Sequence, residues 1–166
     1  MNIKKTISSE TIIFLTGFMG CGKTFLGKQI ASQLNLPFSD LDSEIEKSTG
    51  LFIENIFQKF GEIYFRDLET EILLNWIKPG IIATGGGIVE NDNNRHFLKN
   101  QKTIWLNPSF DEIFKRISNS KRPLVQKLSK KELFELWKKR LPFYKECCNL
   151  IYSGSSAEDL IELILH

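Results

Sequence analysis

The chain has 166 residues and a net charge of +2; 42% of its residues are hydrophobic and 25% are charged. This composition is typical of a soluble globular protein, and the length fits one domain, for which we expect residues 1–166. The small net charge excludes a general attraction to nucleic acid or to an anionic membrane, and no apolar run approaches the roughly 20 residues that span a bilayer.

Short apolar segments alternate with amphipathic stretches along the chain. In chain order, strands are predicted at residues 12–16, 38–41, 81–83, 103–106 and 150–152. Helices are predicted at residues 24–34, 42–47, 53–77 with a break near Gly61, 92–99, 110–117, 130–148 and 157–165. The alternation predicts an α/β fold whose parallel sheet is covered by helices on both faces. Ligands of such sheets bind at the carboxyl ends of the strands.

Residues 17–24 form a glycine-rich loop, GFMGCGKT, that matches the P-loop pattern G-x-x-x-x-G-K-[ST] completely. The loop lies between a predicted strand and a predicted helix, which is the context that this motif requires. Its backbone N–H groups can surround a phosphate at the start of the helix. Lys23 can reach the β- and γ-phosphates, and the Thr24 hydroxyl can bind Mg²⁺. The loop therefore predicts a nucleoside triphosphate site.

Two carboxylates, Asp40 and Asp42, end the second predicted strand. Side chains at positions i and i+2 of an extended segment point the same way, so both can face one cleft. Beside a P-loop, one carboxylate would serve Mg²⁺ and the other would accept a proton from an attacking hydroxyl. An alternative is that Asp42 only caps the following helix.

The third predicted strand runs into three consecutive glycines, residues 85–87. Three adjacent glycines have a high conformational entropy cost, and we interpret them as a site where the backbone approaches a ligand closely. Three arginines could bind an anion: Arg66, which has Glu69 at i+3 to hold it, Arg140, and Arg122 in a polar interruption between two helices. From physical chemistry alone, each of these arginines is more often a surface residue.

The cysteines Cys21, Cys147 and Cys148 are odd in number and include an adjacent pair. This pattern is no disulfide framework and suits a reducing cytoplasm, where we expect the protein. Cys21 lies inside the P-loop, and we interpret it as a small tolerated residue rather than a nucleophile. We expect a monomer that acts on small molecules.

Together, these motifs resemble the shikimate kinase family over nearly the whole chain. The matching fragments are GFMGCGKT at 17–24, FSDLD at 38–42, FGEIYFRDLE at 60–69, ATGGG at 83–87, KRPL at 121–124 and RLPFY at 140–144. The resemblance implies a three-layer α/β/α P-loop kinase fold with a central parallel five-stranded sheet and a mobile lid at about residues 118–128. It also implies ATP-dependent phosphorylation of the 3-hydroxyl of shikimate, a step of chorismate and aromatic amino acid biosynthesis.

The same resemblance implies a role for individual residues. The residues implied to bind the metal ion, Mg²⁺, are Thr24 and Asp40. The residues implied to bind shikimate are Asp42, Arg66, Gly86 and Arg140. The residues with implied catalytic roles are Asp42, Lys23 and Arg122. The residues implied to bind ATP are Gly20, Cys21, Gly22, Lys23, Thr24, Phe25, Arg116, Arg122 and Ser155.

Two other functions fit part of the pattern. A P-loop kinase for another small hydroxy acid, such as gluconate, is disfavoured by the pair Arg66 and Arg140 together with the Asp-x-Asp motif. A nucleotide-binding module without catalysis is disfavoured by the presence of Asp42, Lys23 and Arg122.

Overall fold

The structure is a computed structural model that describes residues 7–120 and 122–166. The strands are β1 (Ile12–Thr16), β2 (Phe38–Asp40), β3 (Gly80–Ala83), β4 (Lys102–Leu106) and β5 (Leu150–Tyr152). They pair in parallel in the order β2-β3-β1-β4-β5. All strands therefore end at the same edge, and β1, β2 and β3 are neighbours there.

Helices cover both faces of this sheet. They are α1 (Lys23–Leu34), α2 (Leu41–Thr49), α3 (Ile53–Leu74), α4 (Asp92–Lys99), α5 (Phe110–Ile117), α6 (Pro123–Lys127), α7 (Lys130–Cys147) and α8 (Ala157–Leu165), with a 3₁₀ helix at Ile88–Glu90. Helix α1 packs with α8, whereas α4 packs with α3 and α7. The sheet and its two helical layers confirm the predicted α/β/α fold.

The hydrophobic core has two parts. The larger part surrounds the central strands, where Ile13, Phe14 and Leu15 of β1 have no exposed surface. A smaller cluster lies where α2 packs on α3 and is built around Ile45, Ile56 and Phe65. The apolar strand sequences are continuous rather than alternating because both faces of the central strands are buried.

Most predicted bounds agree with the structure to within one to three residues, and two features differ in a way that matters for the site. The second strand ends at Asp40 rather than at residue 41, because the Asp40 side chain caps α2. The stretch around Arg122 contains a short helix, α6, that was not predicted from the sequence. Helix α6 begins with Pro123, whose fixed φ suits the first turn of a helix.

Lys121 of the KRPL motif lies outside the described residues. None of the helices formed by residues 7–120 and 122–166 is both long enough and apolar enough to cross a membrane.

Gly61 interrupts α3, as the sequence predicted, with φ 82° and ψ 174°. A Cβ added to Gly61 would meet no atom within 4 Å. Gly50, which ends α2 with φ 68° and ψ 14°, has equally open surroundings, but its angles belong to the left-handed helical region. The two glycines therefore differ in backbone conformation and not in crowding.

Substitution by asparagine should separate these two positions. Gly50→Asn should lower the free energy of unfolding by less than about 1 kcal/mol, because asparagine tolerates the left-handed conformation. Gly61→Asn should lower it by about 1–3 kcal/mol, because glycine alone populates its φ/ψ region readily. Urea unfolding followed by circular dichroism measures both changes. Equal losses at the two positions would contradict this explanation.

Candidate active site

The P-loop joins β1 to α1 and depends on two glycines with left-handed backbone. Gly20 has φ 77°, and Gly22, the cap of α1, has φ 107°. A side chain at Gly20 would also collide with Ile117 of α5. The loop thereby turns around the start of α1, where free N–H groups and the helix dipole favour a phosphate. The predicted strand–loop–helix arrangement is present.

Two cationic side chains lie against this loop. Lys23 Nζ donates hydrogen bonds to loop carbonyl oxygens, including that of Gly17 at 2.7 Å. Arg116 Nη1, from the last turn of α5, donates to the carbonyl oxygens of Gly20 at 3.2 Å and Cys21 at 3.3 Å. The Cys21 side chain is buried. The loop therefore carries two positive charges next to its phosphate-binding backbone.

The Asp40 carboxylate links the P-loop helix to the start of α2. Thr24 Oγ1 donates to Asp40 Oδ2 at 3.2 Å, and the backbone N–H of Asp42 donates to Asp40 Oδ1 at 3.0 Å. Asp40 is therefore the cap of α2, and the alternative that Asp42 is the cap is wrong. The prediction that both carboxylates belong to one extended segment is also wrong, because Asp42 is already helical.

Asp42 has an altered pKa, although solvent reaches its side chain. Desolvation by the surrounding protein raises the pKa above the ordinary value of 3.8, and repulsion by Asp40 raises it further. Lys23 and Arg66 act in the opposite sense. Asp42 is thus within electrostatic reach of both the P-loop lysine and a predicted substrate arginine. Its raised pKa makes it a stronger proton acceptor than an ordinary aspartate.

Arg66 is held in place by Glu69, one turn further along α3. Arg66 Nη1 lies 2.7 Å from Glu69 Oε2, the contact that the i, i+3 spacing predicted, and Arg66 Nη2 lies 3.6 Å from Glu62 Oε1. Glu69 is buried, and among the described residues its Oε1 atom has no hydrogen-bond partner. Burial raises the pKa of Glu69, while Arg66 opposes this change.

Arg140 reaches the glycine triplet from α7. Its side chain is buried, its Nε donates to Glu90 Oε1 at 3.0 Å, and its Nη1 donates to the carbonyl oxygen of Gly86 at 3.4 Å. Tyr144, one turn later on α7, donates its hydroxyl to the same Gly86 oxygen at 2.5 Å. The Arg140 guanidinium therefore faces the triplet and not bulk solvent.

Each glycine of residues 85–87 has a neighbour that leaves little or no room for a side chain. A Cβ on the first would collide with Glu69, one on the second would lie 3.1 Å from the backbone nitrogen of Met19, and one on the third would collide with the Arg66 guanidinium. From the sequence, the three glycines were interpreted as a site where the backbone approaches a ligand. The contacts in the structure show that neighbouring protein atoms already favour glycine at these positions. Contact between Gly86 and a ligand stays a prediction.

Three residues of the predicted nucleotide set are exposed to solvent. Arg122 caps α6 and Ser155 lies between β5 and α8; both are exposed, and their side chains form no hydrogen bond or ion pair within residues 7–120 and 122–166. Phe25 of α1 is 66% exposed. The roles of all three stay predictions.

No role for Glu90 or Tyr144 was predicted from the sequence. The spacing Arg140-x-x-x-Tyr144 puts both side chains on one helical face and could have identified Tyr144. Glu90 gives no such signal, because it ends a 3₁₀ helix that was not predicted and pairs with an arginine 50 positions away.

Oxygen ligands for a divalent cation are present in Thr24 and Asp40, which already contact each other. Among the described residues, no group of three or more His, Cys, Asp or Glu side chains is arranged to hold a metal ion. Mg²⁺ prefers oxygen ligands and retains waters or phosphate oxygens, so two side chains fit an ion that arrives with a nucleotide.

A glycine loop with Lys23 and Thr24 at the carboxyl edge of a parallel sheet defines a P-loop nucleotide-binding protein. The family model for shikimate kinase matches residues 19–165. The chain is 39% identical over 160 residues to shikimate kinase of Enterococcus faecalis, a match that covers 92% of this chain and 95% of that one. It is 46% identical over 137 residues to shikimate kinase of Staphylococcus aureus, covering 81% and 79%. The chain therefore belongs to the shikimate kinase family.

Solved structures agree with this assignment. Shikimate kinase from Acinetobacter baumannii, in complex with shikimate, aligns with a TM-score of 0.81 at 36% identity and covers 93% of this chain and 90% of that one. A deoxyadenosine kinase from M. mycoides aligns with a TM-score of 0.57 at 18% identity, covering 93% and 96%, and shares the fold. The resemblance found in the sequence is confirmed.

The raised pKa of Glu69 predicts a pH-dependent contribution to stability. Native Glu69 retains its proton at pH values where the unfolded chain, with a pKa near 4.5, has lost it. The wild type should therefore lose stability relative to Glu69→Gln as pH rises from about 4.5 through the native pKa. Loss of the contact with Arg66 in the variant adds only a constant difference between the two stability curves, because arginine stays charged throughout and contributes no slope.

Urea unfolding of both proteins between pH 4.5 and pH 8 gives this difference curve. A difference that is constant over this range would mean that Glu69 titrates normally in the folded state.

Proposed function

We propose that this protein is an ATP:shikimate 3-phosphotransferase, which converts shikimate and ATP into shikimate 3-phosphate and ADP on the route to chorismate and the aromatic amino acids. The observation that carries the proposal is the convergence of Arg66 and Arg140 on the glycine triplet beside the P-loop. Shikimate offers one carboxylate and three hydroxyls, and this part of the cleft offers two guanidinium groups, one reactive carboxylate and backbone amides.

The two arginines would bind the shikimate carboxylate. A guanidinium binds a carboxylate in a planar, bidentate manner, and a partly desolvated pair does so more strongly than exposed lysines would. Glu69 restrains Arg66 and Glu90 restrains Arg140, so less side-chain entropy is lost when the substrate binds. The backbone of Gly86 would contact a ring hydroxyl.

Asp42 would accept the proton of the 3-hydroxyl as that oxygen attacks the γ-phosphoryl group. Its raised pKa suits a general base, and Lys23 and Arg66 oppose the rise because they favour the ionised form. Because phosphoryl transfer needs little covalent help from the protein, positioning and electrostatics provide most of the rate.

The P-loop residues from Gly20 to Phe25 would hold the phosphates of ATP, with Lys23 at the β- and γ-phosphates. Thr24 would ligate Mg²⁺, with Asp40 acting on the ion. When bound, Mg²⁺ neutralises phosphate charge and orients the transferred group.

Three further residues complete the proposed nucleotide site. Arg116 already lies against the loop and would border the adenine, as would Ser155. Arg122 would stabilise charge on the transferred phosphoryl group. Within the described part of the chain, Arg122 forms no hydrogen bond with the P-loop, so this role requires residues 118–128 to act as a lid and move toward the loop.

We further propose that residues 1–166 act as one domain and as a cytoplasmic monomer. The three cysteines are unpaired, which suits a reducing compartment. Light scattering of the purified protein tests the monomer, for which a mass near 19.2 kDa is expected.

The decisive experiment is coupled detection of ADP with pure protein, ATP, Mg²⁺ and either shikimate or gluconate. Turnover with shikimate alone supports the proposal. Turnover with gluconate in place of shikimate would identify a kinase for another hydroxy acid. Nucleotide binding without turnover on either acid would identify a module that binds ATP but does not catalyse.

Asp42→Asn should lower kcat by about 100-fold or more, because general base catalysis typically contributes 10²–10⁴ in rate. Binding of ADP, measured by calorimetry, should stay close to wild type. Asp67→Asn makes the same chemical change at an exposed position of α3 and serves as the control. A loss of ADP affinity as large as the loss of turnover would contradict the proposed role.

The substitutions Arg140→Ala and Arg116→Ala should each affect a different substrate, shikimate for the first and ATP for the second. Arg140→Ala should raise the KM for shikimate by about tenfold or more with little effect on the KM for ATP, because a charge-assisted contact to the acid is lost. Arg116→Ala should raise the KM for ATP preferentially. Steady-state kinetics with each substrate varied in turn measures both, and parallel changes in the two KM values would refute the assignment.

A further inference from the structure

Tyr144 contacts the backbone of the glycine triplet, although it lies beneath the site. It has no exposed surface, and its hydroxyl donates to the carbonyl oxygen of Gly86 at 2.5 Å. Burial raises the pKa of Tyr144, so the hydroxyl stays protonated and remains a donor. Arg140, one turn earlier on the same helix, donates to the same oxygen at 3.4 Å.

The triplet has few other anchors. Thr84 precedes it and is tied to β1, where its N–H and its hydroxyl donate to the carbonyl oxygen of Leu15 at 3.0 Å and 3.1 Å. The N–H of Ile88 follows it and donates to the carbonyl oxygen of Gly85 at 3.3 Å. The N–H of Glu90 also donates to the carbonyl oxygen of Gly87 at 3.0 Å. The peptide between Gly86 and Gly87 is not held by these bonds, and glycine backbone has wide conformational freedom. Within residues 7–120 and 122–166, only α7 binds the carbonyl of Gly86.

We infer that Tyr144 is a positioning residue for substrate binding, which it serves by fixing the Gly86–Gly87 peptide. A trans peptide is planar, so a carbonyl that points toward α7 directs the N–H of Gly87 away from α7. No protein acceptor for the N–H groups of Gly86 and Gly87 occurs among the described residues. Tyr144 therefore presents backbone donors to the cleft in a fixed orientation. This inference rests on the proposed function.

The same contact couples the backbone to Arg140. Because Tyr144 and Arg140 share one acceptor, a shift of the Gly86 carbonyl would move the partner of the guanidinium as well. The Tyr144 ring is held independently, since it stacks on Trp105 with ring centroids 5.7 Å apart. Removal of the hydroxyl alone should therefore loosen the peptide and leave the ring in place.

Tyr144→Phe tests this role, with Tyr152→Phe as the matched control. Tyr152 is also buried, and its hydroxyl also donates to a carbonyl oxygen, that of Ser156 at 2.7 Å, on the far strand β5. Tyr144→Phe should raise the KM for shikimate by about fivefold to tenfold and leave the KM for ATP unchanged, as expected for one lost hydrogen bond that orients a single substrate. Tyr152→Phe should lower the melting temperature comparably without raising the KM for shikimate.

Two further measurements separate positioning from stability. The amide NMR signals of Gly86 and Gly87 should shift and exchange faster with solvent in Tyr144→Phe, whether or not substrate is present. In a double-mutant cycle with Arg140→Lys, the losses in kcat/KM for shikimate should be non-additive, because both residues act through one oxygen.

The inference is overturned if the shikimate KM of Tyr144→Phe stays within about twofold of wild type, if both KM values rise together, or if the cycle is additive. A wild type that is inactive on shikimate would refute the proposed function and, with it, the substrate role of Tyr144. The NMR experiment would then still report whether the tyrosine anchors the peptide.

Discussion

The parallel pairing of β1 with β3 is the constraint on which the site depends. Leu15 pairs with Ala83, so the P-loop and the glycine triplet leave the sheet side by side. A methyl group on Gly86 would lie 3.1 Å from the backbone nitrogen of Met19, which shows how closely the two loops approach. Since β2 ends at the same edge with Asp40, the P-loop, the carboxylates and the two arginines proposed to bind the substrate lie close together there.

Charge balance explains why this concentration of ionised groups is tolerated. Each arginine proposed to bind the substrate has an acidic partner: Glu69 for Arg66 and Glu90 for Arg140. Asp42 forms no ion pair with any other described residue and is influenced by several charges at once. The two paired acids hold the arginines in position, and Asp42 is the acid that we propose to accept the proton, for which its raised pKa is suited.

Sequence reasoning identified the strands and the P-loop because their signals are local. Continuous apolar segments mark β1 and β3, and the glycine spacing marks the loop between β1 and α1. The contact between Arg66 and Glu69 was also predictable, since helical spacing determines it. The capping role of Asp40 was not, because either Asp40 or Asp42 satisfies the local pattern. Glu90 and Tyr144 act through partners that are remote in sequence, and only the assembled fold reveals them.

The crowding around the glycine triplet also restricts how this cleft can change during evolution or engineering. Glu69 and Arg66 occupy the space that side chains at Gly85 and Gly87 would need. A larger residue at either glycine is therefore compatible only with a smaller or displaced neighbour, and these neighbours are Arg66, which we propose to bind the acid, and the glutamate that holds it. A change at one of these glycines therefore requires a change at its neighbour. Paired substitutions are consequently the accessible route to a cleft that binds a different acid.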